Sequence, residues 1–176
     1  MVKKLPNPDR VAPKVIAKEA EKPSAKPTSG SVKAQKTAAR LAAVQVLYQM
    51  RLNNQEAGDA VREFLVHRVG FNLDGDVFVP AQPQLLQDIV LGVAERWADV
   101  SQILETALRD GGREEVEVIL ECILRAGIYE LLAHGSTDVG IIIHDYMNVT
   151  TGFYDGKEPK LVNAILDKVA KKVRVS

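Results

Sequence analysis

Between residues 83 and 109 apolar side chains recur at Leu86, Val90, Val93, Trp97, Val100, Leu104 and Ala107, in alternating steps of four and three. That spacing keeps them on one side of a helix. Leu85, Ile89 and Ile103 widen the stripe, which suits a long helix packed in a bundle better than a free coiled coil. Gly111-Gly112 then stops it. Residues 114–133 open on Glu114 and Glu115, acids suited to a helix N-terminus. Val116, Ile119, Leu120, Ile123, Leu124, Ile128, Leu131 and Leu132 follow as a broad apolar face, the pattern of a central core helix.

The remaining body also reads as helix. Residues 34–52 are rich in Ala, Leu and Gln, with Leu41, Val44, Leu47, Tyr48 and Leu52 on one face. Residues 56–69 carry a weaker pattern in Ala60, Val61, Phe64 and Leu65. Gly70, Gly75 and Pro80 mark residues 70–82 as a loop. After Gly135, Ser136-Thr137-Asp138 offers caps for a helix over 139–151. That run is Ile-rich, as a strand would be, but its spacing of three and four continues and favours helix. Pro159 suits the start of a last helix over 158–173, burying Leu161 or Val162, Ile165, Leu166, Val169 and Val173. The expected class is all-α, with five or six helices in one bundle or two packed sub-bundles.

Composition separates the two ends from the middle. Residues 1–32 hold five of the eight prolines and no aromatic residue, so they bury too little to offset their ordering entropy. We read them as a flexible basic tail, with the folded domain over 33–176. The whole chain has 23 basic and 23 acidic residues. A uniformly basic nucleic-acid binder is thereby excluded. The balance is nevertheless +4 over 1–32, +3 over 33–50, −10 over 51–145 and +3 over 146–176. A fold that joins the ends would make a basic face on an acidic body, although ordinary solvated surface also accounts for the charges.

Chemistry is sparse. One cysteine, Cys122, excludes an internal disulfide and a Cys-rich zinc site, and its place in the core helix suits a passive residue. His67, His134 and His144 form no i, i+4 pair and read as surface or boundary residues. Residues 152–158 fail as a phosphate loop, because the glycine spacing is short and Glu158 stands where Ser or Thr belongs. Neither a catalytic constellation nor a metal or cofactor site is expected. The lack of a long apolar run and of a signal-type N-terminus predicts an intracellular, cytoplasmic protein.

One surface stands out. Lys33, Lys36 and Arg40 share a face of the first helix, and Lys157 and Lys160 flank the start of the last one. A helix N-terminus suits a phosphate, and Phe153 and Tyr154 just before it suit stacking on an unpaired base. The plain alternatives are a solvated face and two core aromatics closing the bundle. Spacing alone favours those.

Three ordered blocks add to this: Ala39-Arg40-x-x-Ala43-x-Gln45-x-Leu47-Tyr48, Ile123-Leu124-Arg125-Ala126-x-Ile128-Tyr129-Glu130-Leu131, and Lys160 to Lys168 with its Val-Asn-x-Ile-Leu-Asp core. Over about residues 34–174 the chain resembles the NusB family of transcription antitermination factors. The resemblance implies two small helical bundles and no catalysis. It implies binding of single-stranded boxA RNA from ribosomal RNA leaders and spacers, with ribosomal protein NusE. The pair would then join NusA, NusG and RNA polymerase. Carried over, the RNA surface is Lys36, Arg40, Lys157, Lys160 and Leu161, with Lys33 on the same helix face. Tyr48, Glu117 and Glu121 become the NusE-facing candidates, an acidic region meeting a basic protein. Asn163 and Asp167 are expected to act structurally, through capping or buried hydrogen bonds.

The chain also departs from the family pattern. Its first helix carries one arginine and two lysines in place of several consecutive arginines, which predicts weaker binding to RNA alone. The charge of the 1–32 tail offsets part of that. The 70–82 loop looks longer than usual. Two other readings stay open: a helical scaffold that binds protein only, and a fragment related to the N-terminal domain of ribosomal RNA cytosine methyltransferases.

Overall fold

A computed structural model describes residues 30–67 and 79–174. Most of the expected tail and residues 70–78 of the expected loop lie outside the described residues. Among the described residues the chain forms seven α-helices and no strand: α1 (Val32–Asn53), α2 (Ala57–His67), α3 (Pro83–Glu95), α4 (Trp97–Asp110), α5 (Val118–Ala133), α6 (Val139–Thr151) and α7 (Glu158–Val173).

Local chemistry sets several ends. Ser31 caps α1, its hydroxyl accepting from the Ala34 N–H at 3.2 Å. Asp138 caps α6, accepting from the N–H groups of Gly140 at 2.8 Å and Ile141 at 3.3 Å. Each cap satisfies donors that the first turn leaves free. Pro83 and Pro159 occupy opening turns, where a missing N–H costs little.

The centre is α5, buried without interruption from Cys122 to Leu131. It packs against α1, α3, α4, α6 and α7. On one side α1 packs against α2 and α3; on the other α6 and α7 pack against each other. This gives the two packed sub-bundles, sharing a core through α5. Close approach of α3 to α5 depends on Gly92, where an added Cβ would lie 2.0 Å from Tyr129 Cζ. Gly92→Ala therefore displaces the Tyr129 ring and its 3.0 Å hydrogen bond to Asp88. The expected loss is about 1–3 kcal/mol, despite alanine's better helix propensity. Denaturant unfolding would check this, and an unchanged midpoint would contradict it.

Two boundaries differ from expectation. The single helix over 83–109 is broken at Arg96 (φ −99°, ψ 28°), giving α3 and α4. One residue out of helical geometry barely disturbs the stepping of apolar positions, so the pattern runs across the break. The break turns Trp97 out of the seam: Val93 and Val100 are fully buried, whereas Trp97 is 37% exposed. The core helix begins at Val118 rather than 114. Residues 111–113 instead wrap the end of α4, with Gly112 at φ 72° and the Arg113 N–H donating to the Leu108 carbonyl.

Candidate nucleic-acid interface

On α1, Lys33 and Lys36 are exposed in the first two turns, while Arg40 is buried at 2% exposure. The stripe that carries all three starts in solvent and runs under α5 and α6 within two turns. Arg40 is therefore not the open cation that helix spacing suggested. Its Nε and Nη2 donate to Glu130 at 2.7 and 2.9 Å, and Nη1 donates to Asp145 at 2.7 Å. Tyr146 donates its hydroxyl to Glu130 at 2.7 Å. Thr37 Oγ1 lies 3.1 Å from Asp145 Oδ2 and 3.2 Å from the Lys33 carbonyl oxygen. His134 closes the far end, with Nδ1 3.0 Å from Glu130 and Nε2 bonded to Asp88.

Four groups in this network are shifted by their surroundings: Glu130, Arg40, Tyr146 and His134. Burial alone would raise the Glu130 carboxyl, but hydrogen bonds from His134, Arg40 and Tyr146 outweigh it and hold it at about 2. Burial likewise opposes the Arg40 charge, yet Glu130 and Asp145 raise the guanidinium above its ordinary value. Burial pushes the Tyr146 hydroxyl up. Glu130, then Asp88, raise His134 above the usual 6.5. A raised histidine contributes stability that is complete below its unfolded value and fades as pH climbs through the folded one. Thermal stability is thus expected to fall as pH rises above the usual histidine value of 6.5. His134→Gln should flatten that slope; an identical slope in the variant would show that another group causes it.

The second basic group lies at the start of α7. Lys157 is the N-cap and is exposed, Lys160 is exposed, and Leu161 is half-buried. The helix terminus itself offers a phosphate less than expected. Pro159 has no N–H, and Glu158 brings a carboxylate whose Oε2 is buried without a hydrogen-bond partner. Phe153 and Tyr154 are half-buried against the core, and the Tyr154 hydroxyl donates to Glu117 at 3.2 Å. That matches two aromatics closing the bundle rather than a free stacking platform.

Helices α1 and α7 do not pack on each other; α6 packs on both. Asp145 faces α1, and the exposed side of α6 carries Ile141, His144, Asn148 and Thr151. Of these the sequence singled out only His144, as a surface or boundary residue; nothing in their types points to RNA, and only the position of α6 does. Asn163 is exposed and Asp167 is half-exposed in a 2.7 Å pair with Lys171, so neither makes the buried or capping bond expected of it.

On the acidic side, Tyr48 and Glu121 are half-buried and Glu117 is exposed. Glu121 accepts from Arg125 at 2.7 Å and sits 3.5 Å from Arg51. Both guanidiniums face the Trp97 ring, with Arg125 Cζ 3.9 Å and Arg51 Cζ 5.6 Å from its centroid. A groove of about 240 Å³ runs here, lined by Leu47, Met50, Arg51, Trp97, Cys122 and Arg125 among others. The Cys122 thiol is pushed up to about 12, chiefly by burial, and is a poor nucleophile. Among the described residues no group of three or more His, Cys, Asp or Glu is placed to hold a metal, and no helix is long and apolar enough to cross a membrane.

Comparison with known proteins agrees with this architecture. Transcription antitermination protein NusB of Agrobacterium fabrum is 38% identical over 157 residues, covering 89% of this chain and 92% of that protein. The protein of the same name from Rhizobium rhizogenes is 39% identical over 141 residues, covering 80% and 88%. Two solved structures share the fold. T. maritima NusB matches with a TM-score of 0.63 at 19% identity, over 78% of this chain and 91% of that one. A chain of the crystal structure of antitermination factors NusB and NusE in complex with dsRNA matches with a TM-score of 0.65 at 22% identity, over 81% of this chain and 99% of that one. The NusB family model covers residues 37–171, and the chain belongs to the NusB family.

Proposed function

We propose that this chain is a transcription antitermination factor that binds boxA-type RNA of ribosomal RNA transcripts together with NusE. In this reading the pair joins NusA, NusG and RNA polymerase in the cytoplasm, and the chain's part is binding rather than catalysis. The observation that carries it is the pair of exposed basic groups, Lys33 and Lys36 on α1 and Lys157 and Lys160 on α7, set on either side of α6 in a member of an antitermination family. The lysines supply sequence-independent attraction to phosphates. His144, Asn148 and Thr151 on the intervening face supply hydrogen-bonding groups for base edges, with Leu161 as an apolar contact. NusE docks on the opposite half of α1 and on α5, through Tyr48, Glu117 and Glu121, with the partly exposed Trp97 as an anchor beside them. The folded domain over 33–176 holds both surfaces, and the basic tail adds attraction to RNA.

The test is a titration of labelled boxA RNA with the full chain, alone and with NusE, using single-stranded and duplex forms. Weak binding alone, strengthened by NusE, is expected on the single strand. Binding of NusE with no RNA bound under either condition would leave a protein-binding scaffold. Preference for the duplex would overturn the single-strand reading and keep the partner.

A further inference from the structure

We infer that Arg40 positions the RNA-binding end of α1 and does not touch the RNA. This rests on the RNA-binding reading above. The side chain is 3% exposed, and each of its three nitrogens donates to a carboxylate, two bonds to Glu130 on α5 and one to Asp145 on α6. A phosphate could reach it only by displacing α6. The bonds lie directly beneath the basic turns: Asp145 also meets Thr37, whose hydroxyl lies against the Lys33 carbonyl. The two basic groups sit on helices that never touch. Their relative placement is therefore set through α5 and α6, and among the described residues Arg40 is the one side chain that ties α1 to both through charged hydrogen bonds. Bidentate contact to one carboxylate and a third bond to another fixes a direction as well as a distance, which a lysine's point charge does not.

Positioning and plain electrostatics predict opposite signs for the acids. Glu130→Gln and Asp145→Asn each remove a negative charge from under a basic surface, so unaided electrostatics would tighten RNA binding. Positioning instead predicts that both weaken it, as does Arg40→Lys, which keeps the charge and loses the fork. The expected loss is about tenfold, with NusE affinity unchanged and with the salt dependence of RNA binding unchanged. Thr37→Val keeps every charge and removes the hydroxyl that meets Asp145 and the Lys33 carbonyl; it serves where a charge variant fails to fold and should weaken RNA binding in the same direction.

Affinities of the full-length variants for a single-stranded boxA RNA across a salt series, beside their affinities for NusE, decide the matter. Tighter RNA binding by Glu130→Gln and Asp145→Asn would overturn the inference. So would a fall of about 0.7 in the salt slope on Arg40→Gln, which removes the charge, the mark of a lost phosphate contact on a single strand. Equal losses of RNA and NusE affinity would also overturn it, because the network would then be only a scaffold. Failure of the unaltered chain to bind RNA would remove the functional reading itself.

Discussion

Replacing Glu130 by alanine is expected to lower the unfolding free energy by about 3–5 kcal/mol. Glu130 is fully buried, and its loss strands two Arg40 nitrogens, the Tyr146 hydroxyl and one His134 nitrogen at once. Arg40 and Tyr146 have no water to turn to without opening the contact of α1 and α6 with α5, whereas His134 is partly exposed. A buried guanidinium without its carboxylate is the largest part of the loss, since desolvation is no longer offset. At about 2–4 °C per kcal/mol for a chain of this size, the melting temperature should fall by roughly 6–20 °C. The exposed pair Asp59–Arg62 gives the contrast: Arg62→Ala should change stability by about 0.5 kcal/mol or less. Thermal and denaturant melts of both variants check the comparison. Equal small losses would mean that apolar packing alone joins α1 to the rest.

Acid should act through the same group. Glu130 holds a depressed pKa of about 2 against a usual 4.5, so its contribution is present above the usual value. It is lost as pH falls through the folded one. The alanine variant should accordingly lose part of the parent's acid sensitivity below about pH 4.

The second large effect is on RNA. The triple variant Lys36→Glu, Lys157→Glu, Lys160→Glu is expected to bind boxA RNA about a hundredfold more weakly at low salt. All three side chains are exposed, and among the described residues none pairs with an acid, so reversing them strands no buried group there and should leave the fold intact. The effect should fade as salt rises, because the lost contribution is counterion release. Three lost phosphate contacts lower the salt slope by about 2 on a single strand. A uniform loss at all salt concentrations would point to damage of base contacts or of the fold instead.

Much of this architecture is legible in local patterns. Helices α6 and α7 fall at 139–151 and 158–173 as the sequence predicts, because Asp138 and Pro159 are punctuation that acts within one turn. The break at Arg96 is not legible, since the apolar stepping passes over it unchanged. Arg40 shows a different limit. Its helix face is right, but Glu130 and Asp145 lie 90 and 105 residues away, and no pattern within α1 reports that α6 will cover it. His134 was readable in part, as it stands four residues after Glu130 on one helix face; a search for histidine pairs alone passes over it. The exposed lysines at 33, 36, 157 and 160 needed the resemblance to gain meaning, because solvated lysines are the common case.

The central claim is antitermination itself, and the most direct measurement is terminator read-through in a reconstituted transcription reaction containing RNA polymerase, NusA, NusG and NusE. Adding this chain should raise read-through on a template carrying boxA. It should do little on one with a scrambled boxA, and the triple lysine variant should fail on both. Read-through that is unchanged by the chain, or raised equally on both templates, would contradict the account.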